Sequence, residues 1–155
     1  FPPLITVPTT AGTGAETEST AMVTETERQM KLCTWHPDLR PSFAILDPEL
    51  TLSLPTNLTA WTGCDALIHA VEAYCVPGFH PLCDGAALEG LRLVSRWLRK
   101  AVDEPDNIEA RGGMLAGSCL AGIAFLMYVF HASLGLRSMH EEHTTRNHVT
   151  RGSPP

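Results

Sequence analysis

The pattern of apolar residues changes at Pro55 from strand-like to helical, and this change limits the fold class that the chain can adopt. Between Ser19 and Asp47, β-branched and alternating apolar residues predict strands joined by a polar turn at Glu25–Gln29. Beyond Pro55, apolar residues recur at the three-to-four spacing of helices. Three helices are predicted there, spanning Leu58–Tyr74, Leu82–Val102 and Ile108 to about Phe125. The predicted fold class is therefore α+β, with strands in residues 1–54, helices in residues 55–130 and an atypical, disordered tail in residues 131–155.

The first residues predict a strand that ends at a glycine-rich turn. Leu4, Ile5 and Val7 form a short apolar run bounded by prolines, which is typical of a buried strand. A buried strand needs partner strands, and this one follows almost directly on the opening residue, Phe1. We therefore expect that an N-terminal portion of the protein is absent from this sequence.

The charge balance and the apolar pattern argue against two kinds of partner. The 155 residues carry a formal net charge of -6, and Lys and Arg are sparse, whereas phosphate binding requires them in clusters. The apolar stretch Met114–Phe130 is rich in small residues and shorter than the ~20 residues that a membrane span needs, so it predicts a core helix. Neither a nucleic-acid partner nor a membrane partner is expected.

The cysteines predict no disulfide framework. There are five of them, none in CxxC spacing, and no signal peptide is recognisable. This pattern favours reduced thiols and a cytoplasmic location.

The turn PTTAGTGAE, Pro8–Glu16, is the first feature that indicates binding. Hydroxyls and flexible glycines, in the order Thr9, Thr10, Gly12, Thr13 and Gly14, place short donors and backbone N–H groups where a sugar or a phosphate could approach closely. The turn is neither GxGxxG nor a Walker A loop, and turns of this composition also occur with a purely structural role.

The second feature is an acid and a histidine, Asp65 and His69, inside the apolar run GCDALIHAVEAY. Positions i and i+4 share one face of a helix, so both side chains can converge on one point. An unpaired carboxylate on a buried face is costly, and a divalent cation such as Fe(II), Zn or Mn(II) would compensate its charge. A simple Asp–His hydrogen bond is the alternative, and a catalytic metal needs at least one further ligand.

Taken in order, four segments resemble the iron-containing (group III) alcohol dehydrogenase family. They are VPTTAGTGAE, Lys31, PSFAILDPELTLSLP and TGCDALIHAVEAY, within roughly Leu4 to Phe125. The resemblance implies that residues 1–54 are the end of a Rossmann-like nucleotide-binding domain. It also implies that residues 55–130 begin a mainly helical, dehydroquinate synthase-like metal-binding domain.

The same resemblance implies residue roles. The expected nicotinamide cofactor is NAD or NADP, and its predicted contacts are Thr9, Thr10, Gly12, Thr13, Gly14, Lys31 and Leu50. Asp65 and His69 match the first two of four metal ligands, and the expected metal is Fe(II), with Zn or Mn as alternatives. His140 matches a histidine near the substrate and is the candidate catalytic residue. The resemblance further implies hydride transfer between a small alcohol and an aldehyde or ketone, and a homo-oligomer in the full-length protein.

The chain departs from the family pattern at both ends. A glycine-rich GGGS turn that holds the pyrophosphate in the family is not in the sequence. After Phe125, Arg137 stands where the family has a Cys-His pair, so the third metal ligand is expected to be lost. The polar end from Glu141 to Pro155 lacks apolar periodicity, which predicts disorder.

These departures leave three hypotheses open. The chain is a piece of a dehydrogenase that is inactive in isolation, a non-catalytic metal-binding remnant, or the product of a pseudogene or a frameshift.

Overall fold

The computed structural model describes the backbone of residues 2–149 and the side chains of residues 2–129. Four short strands precede three long helices. The strands are β1, Ile5–Thr6; β2, Thr20–Glu25; β3, Met30–Trp35; and β4, Phe43–Ala44. The helices are α1, Thr56–Tyr74; α2, Pro81–Asp103; and α3, Ile108–Val149. The predicted α+β class and the order of its elements are confirmed.

The strands form two separate pairs. β2 and β3 are antiparallel, with Thr20 opposite Trp35 and Glu25 opposite Met30, and the turn between them includes Gln29 at a positive φ of 51°. This hairpin confirms the predicted turn. β1 pairs in parallel with β4, and Ile5 lies opposite Phe43.

The prediction that β1 is a buried strand is wrong for the described part of the chain. Leu4, Ile5 and Val7 are all exposed. A run of apolar residues indicates that a segment favours burial. The segment becomes buried only if other strands or helices cover both of its faces. Here β1 has one partner strand, and that strand is two residues long.

The core lies between the three helices. Val94 of α2, Ala66 of α1, and Met114 and Leu115 of α3 belong to one cluster of fully buried side chains. The helices approach closely because glycines face their neighbours: a Cβ built at Gly90 would lie 3.0 Å from the backbone nitrogen of Ala121. The small residues that interrupt the apolar stretch of α3 are thus the means by which α2 and α3 pack.

Helix α3 is longer than the sequence predicts. The apolar pattern predicts its end near Phe125 and disorder from Glu141, but the backbone is helical as far as Val149. Between Phe125 and Val149 the chain has no proline, so no residue there removes a helical hydrogen bond outright. Lack of apolar periodicity argues against burial of such a segment, and it does not by itself prevent a helix. The rest of the predicted tail, 150–155, lies outside the described residues.

The apolar part of α3 is also longer than the stretch that the sequence predicts. Within residues 2–149, the segment Ile108–Val129 has the length and composition to cross a membrane. The difference arises because this segment begins at Ile108, where the helix was predicted to begin, whereas the apolar stretch begins at Met114. A core helix passes the same test, and contacts of α3 with α1 and α2 favour that interpretation. That the protein has no membrane partner stays a prediction.

Candidate functional site

Asp65 and His69 lie on one face of α1, as the spacing predicted. The His69 Nε2 atom is 3.9 Å from the Asp65 Oδ1 atom, which is too long for a hydrogen bond. The expectation that both side chains are buried is only half right: the side chain of His69 is 17% exposed, whereas that of Asp65 is 45% exposed. In the described part of the chain, water therefore solvates the carboxylate, and no compensating charge is required.

The imidazole of His69 is held by an aromatic contact. Its ring stacks on Phe125 of α3, with the ring centroids 4.5 Å apart, and Tyr128 meets Phe125 edge-on at 6.2 Å. The Nδ1 atom of His69 is buried and has no hydrogen-bond partner among residues 2–129. A buried polar atom without a partner is costly, and this Nδ1 atom is distinct from the Nε2 atom that lies 3.9 Å from Asp65.

The pair fits part of a metal site. A carboxylate and an imidazole suit Fe(II), Zn and Mn(II), and two ligand atoms of a tetrahedral site, each ~2.1 Å from the ion, lie ~3.4 Å apart. The separation of 3.9 Å is wider than this, so the two side chains would move closer together on binding an ion. No group of three or more His, Cys, Asp or Glu residues with this geometry occurs among residues whose side chains are described. Asp65 and His69 are thus a half-site, and a catalytic metal needs at least one further ligand.

The glycine-rich turn rests on the helices that carry this half-site. Gly12 lies against α1, where an added Cβ would be 2.9 Å from the Cβ of Thr62. Gly14 has a φ of 72° and lies against α3, where an added Cβ would be 2.6 Å from the Cα of Gly122. Thr62 precedes Asp65 by one helical turn, so the structure brings the turn and the half-site together.

The predicted dinucleotide contacts within the turn divide into two groups. Thr9, Thr10 and Thr13 are exposed, so their hydroxyls are available to a ligand, whereas Gly12 and Gly14 are buried against the helices. The Thr13 hydroxyl also accepts a hydrogen bond from the Ala15 backbone N–H at 3.3 Å. The glycines therefore seat the turn, and the threonines face outward.

The other predicted site residues are more remote or undescribed. Lys31 is exposed on β3, opposite Thr24. Leu50 lies in the 3-10 turn Pro48–Thr51, which packs against α3. The side chain of His140 and that of Arg137, which marks the expected loss of a ligand, lie outside the described residues.

Sequence reasoning missed the burial of the acid that ends the turn. Glu16 is 6% exposed, and its Oε1 atom has no hydrogen-bond partner among residues 2–129. Burial raises the pKa of Glu16, and the charge of Glu18 adds to this effect, while a hydrogen bond with Cys119 opposes it. Burial, together with Glu16, raises the pKa of the Cys119 thiol to about 11, so that Cys119 stays protonated. The sequence shows that the glycine-rich turn ends in an acid, Glu16. It does not show that this acid is buried, because the burial depends on contact with α3.

Sequence reasoning also missed Arg111, which is buried at the start of α3. Its guanidinium donates to the Pro105 carbonyl at 2.9 Å, to the Thr59 hydroxyl at 2.8 Å and to the Leu54 carbonyl at 3.5 Å. These bonds join α3 to the start of α1 and to the segment before it. Arg111 is an anchor of the helical layer that carries the half-site.

Two profiles of protein families match the chain. The profile described as "Fe-containing alcohol dehydrogenase family, C-terminal" matches residues 59–136, and the profile described as "Iron-containing alcohol dehydrogenase" matches residues 1–48. The chain belongs to the iron-containing alcohol dehydrogenase family, whose members are oxidoreductases. Its strands and three helices correspond to the end of the N-terminal domain and the start of the helical C-terminal domain of that family. The family match continues beyond Phe125, where the resemblance was expected to end.

Individual relatives support this assignment. The chain is 42% identical to the "NAD-dependent methanol dehydrogenase" of Bacillus methanolicus over 123 residues, which are 79% of this chain and 32% of that protein. It is 44% identical to the "1,3-propanediol dehydrogenase" of Klebsiella pneumoniae over 127 residues, or 81% of this chain and 32% of the relative. Its fold matches the crystal structure of sulfoacetaldehyde reductase from Bifidobacterium kashiwanohense in complex with NAD+, with a TM-score of 0.76 and 43% identity, over 80% of this chain and 33% of that chain. The chain thus spans about a third of the length of the relatives it matches.

Proposed function

We propose that this chain is part of an enzyme that transfers a hydride between a nicotinamide dinucleotide and a small alcohol, aldehyde or ketone. The observation that carries the proposal is the position of the turn, which rests on α1 and α3 beside the Asp65–His69 half-site. Hydride transfer requires the dinucleotide and the reacting carbon to meet in one place. The relatives with dehydrogenase names support the same reaction class.

Each part of the site has a task in this reaction. Asp65 and His69 would hold a divalent cation, and we propose Fe(II), with Zn or Mn as alternatives. When bound, such a cation acts as a Lewis acid toward the oxygen of the alcohol or aldehyde. The hydroxyls of Thr9, Thr10 and Thr13 are exposed and would be available to NAD or NADP. The stacked ring of Phe125 fixes the plane of the His69 imidazole.

The small number of ligands in the half-site limits the activity that we expect from the isolated chain. Two ligands hold a cation weakly, and among residues 2–129 no third ligand lies with Asp65 and His69. We therefore propose that the 155-residue chain binds metal weakly and does not turn over in isolation. The same observation favours the second candidate function, a metal-binding remnant without redox activity.

The proposed assembly and location are those of the family resemblance. We propose a homo-oligomer in the full-length protein, acting in the cytoplasm on small molecules. Mass measurement of the full-length protein in solution tests the first point.

A chimera tests the reaction. Residues 4–129 replace the matching segment of the 1,3-propanediol dehydrogenase of Klebsiella pneumoniae, to which the chain is 44% identical. We expect the chimera to reduce NAD+ in the presence of 1,3-propanediol and a divalent metal. Asp65→Asn or His69→Gln in the chimera should abolish this activity together with metal binding.

The control lies on the same helix. Glu72 is exposed on α1, and Glu72→Gln should leave metal binding and activity unchanged. If the chimera folds, binds metal and NADH, and still transfers no hydride, the dehydrogenase proposal is overturned and the binding-only alternative is supported. Metal binding that survives both Asp65→Asn and His69→Gln rules out the half-site.

A further inference from the structure

The contact between Gly14 and Gly122 joins the glycine-rich turn to α3 through backbone alone. A Cβ built at Gly122 would lie 2.7 Å from the Cα of Gly14, 2.8 Å from the Gly14 carbonyl oxygen and 3.0 Å from the hydroxyl of Thr17. Two of these three atoms belong to the main chain, which a rotamer change cannot move away. Any side chain at position 122 must therefore displace the turn.

Residue 16 gives an independent observation on the same stretch of α3. Glu16 is the last residue of the turn and is buried, with one carboxylate oxygen that has no partner within residues 2–129. Its neighbour is Cys119, which lies three residues before Gly122 on the helix. The end of the turn thus packs against α3 closely enough to bury an acid, and this close contact is possible because position 122 has no side chain.

The helices that hold the turn also carry the half-site. Thr62, which Gly12 contacts, precedes Asp65 by three residues on α1. Gly122 precedes Phe125 by three residues on α3, and the ring of Phe125 stacks on His69. Each helix residue that the glycine-rich turn contacts is therefore one helical turn away from the half-site or its aromatic partner. Thr62 is one turn from Asp65, and Gly122 is one turn from Phe125.

We propose that Gly122 is a positioning residue, which fixes the distance between the glycine-rich turn and the Asp65–His69 half-site. The backbone contact between Gly122 and Gly14 fixes the position of the turn against α3. The positions of the exposed threonines of the turn follow from this contact. The proposal rests on the proposed function in one respect, namely that the turn contacts a dinucleotide. Its structural content, that residue 122 sets the position of the turn, is independent of any ligand.

Hydrogen exchange of the 155-residue chain, read by mass spectrometry, tests the structural content. In Gly122→Ala, we expect amide exchange in residues 9–17 to rise by at least about tenfold, while peptides of α2 stay unchanged. NADH fluorescence of the chimera with the 1,3-propanediol dehydrogenase, which supplies the rest of a nucleotide-binding domain, tests the functional content. We expect the affinity of Gly122→Ala for NADH to fall by about tenfold, while the affinity of the half-site for Zn2+ is unchanged.

Two further variants make the result specific. Gly12→Ala disturbs the turn from the side of α1, at a residue whose φ is not positive, and should give the same local increase in exchange without altering α3. Gly85→Ala is the control, because a Cβ at Gly85 on α2 would meet no atom within 4 Å, and it should leave the turn unchanged.

The outcomes separate this inference from the proposed function. Unchanged amide exchange in residues 9–17 of Gly122→Ala overturns the positioning role. The role is also overturned if exchange in Gly122→Ala rises equally in the turn and in α2, while Gly12→Ala shows no local increase in the turn. Faster exchange of the turn, together with a chimera that folds and binds no NADH, supports the positioning role and overturns the proposed dinucleotide contact. Faster amide exchange of the turn with unchanged NADH affinity overturns the link between the position of the turn and dinucleotide binding.

Discussion

The imidazole of His69 and the phenyl ring of Phe125 lie nearly parallel, with their centroids 4.5 Å apart and an angle of 17° between their planes. The contact joins α1 to α3 at the half-site. Tyr128 supports it by meeting Phe125 edge-on. A stacked arrangement of this kind restricts rotation of the imidazole, so the direction of its ring nitrogens is set by α3 as well as by α1.

Replacing Phe125 by leucine should therefore destabilise the chain. We expect the free energy of unfolding of Phe125→Leu to fall by about 1–2 kcal/mol, because both the ring stack and part of the buried area are lost. Urea unfolding followed by circular dichroism measures the change. The matched control is Phe79→Leu, since Phe79 is 92% exposed, and it should change the free energy by less than about 0.5 kcal/mol. Equal effects of the two substitutions would contradict the role of the stack.

The elements that the sequence predicted well are those that depend on local pattern. The three helices and the β2–β3 hairpin follow from apolar spacing and from the polar residues of the turn, and apart from the end of α3 the structure has them at nearly the predicted bounds. The i, i+4 spacing likewise placed Asp65 and His69 on one face. These features need no knowledge of which elements meet in space.

The features that were wrong or missed depend on contacts between distant residues. β1 is apolar but exposed, and Asp65 is half-exposed, because burial requires a partner element that the pattern of one segment cannot specify. Glu16 and Arg111 look like ordinary charged residues in the sequence, yet both are buried against segments far away along the chain. Helix α3 extends beyond its apolar pattern, because a helix can form without apolar periodicity.

The buried acid makes the stability of the chain depend on pH. Burial raises the pKa of Glu16 above its ordinary value of 4.5, so the folded chain holds the proton more tightly than the unfolded chain. The stability that this provides is complete below the unfolded pKa and is lost as the pH rises through the folded pKa. Because a glutamine side chain carries no charge at any of these pH values, the stability of Glu16→Gln relative to the wild type should increase as the pH rises from 4.5 through the pKa of Glu16 in the folded chain.

Urea unfolding at about pH 5, 6.5 and 8 measures this difference. Glu27→Gln is the control, because Glu27 is exposed in the turn of the hairpin, and its difference from the wild type should not vary over the same range. A constant difference for Glu16→Gln would mean that the carboxyl group of Glu16 titrates alike in the folded and unfolded chains.

Arg111 should be intolerant of lysine. Its planar guanidinium donates in three directions, to Pro105, Thr59 and Leu54, and an ammonium group on a shorter reach cannot serve all three acceptors. Arg111→Lys should therefore lower the free energy of unfolding by about 2–4 kcal/mol. Thermal unfolding tests this against Arg99→Lys, where the side chain is 93% exposed and the expected change is within about 0.5 kcal/mol. Retention of full stability by Arg111→Lys would show that the three hydrogen bonds contribute little.

Two glycines on α2 should respond to alanine with opposite signs. A Cβ at Gly90 would lie 3.0 Å from the Ala121 nitrogen and 3.1 Å from the Gly117 carbonyl oxygen, so α2 and α3 would have to separate. We expect Gly90→Ala to lower the free energy of unfolding by about 1–3 kcal/mol, the usual cost of overpacking. At Gly85 the added methyl group meets no atom within 4 Å, and alanine should raise the free energy by about 0.5–1 kcal/mol because it favours the helix. Urea unfolding of both variants tests the packing directly: if Gly90→Ala is as stable as Gly85→Ala, the two helices do not approach as closely as their backbones indicate.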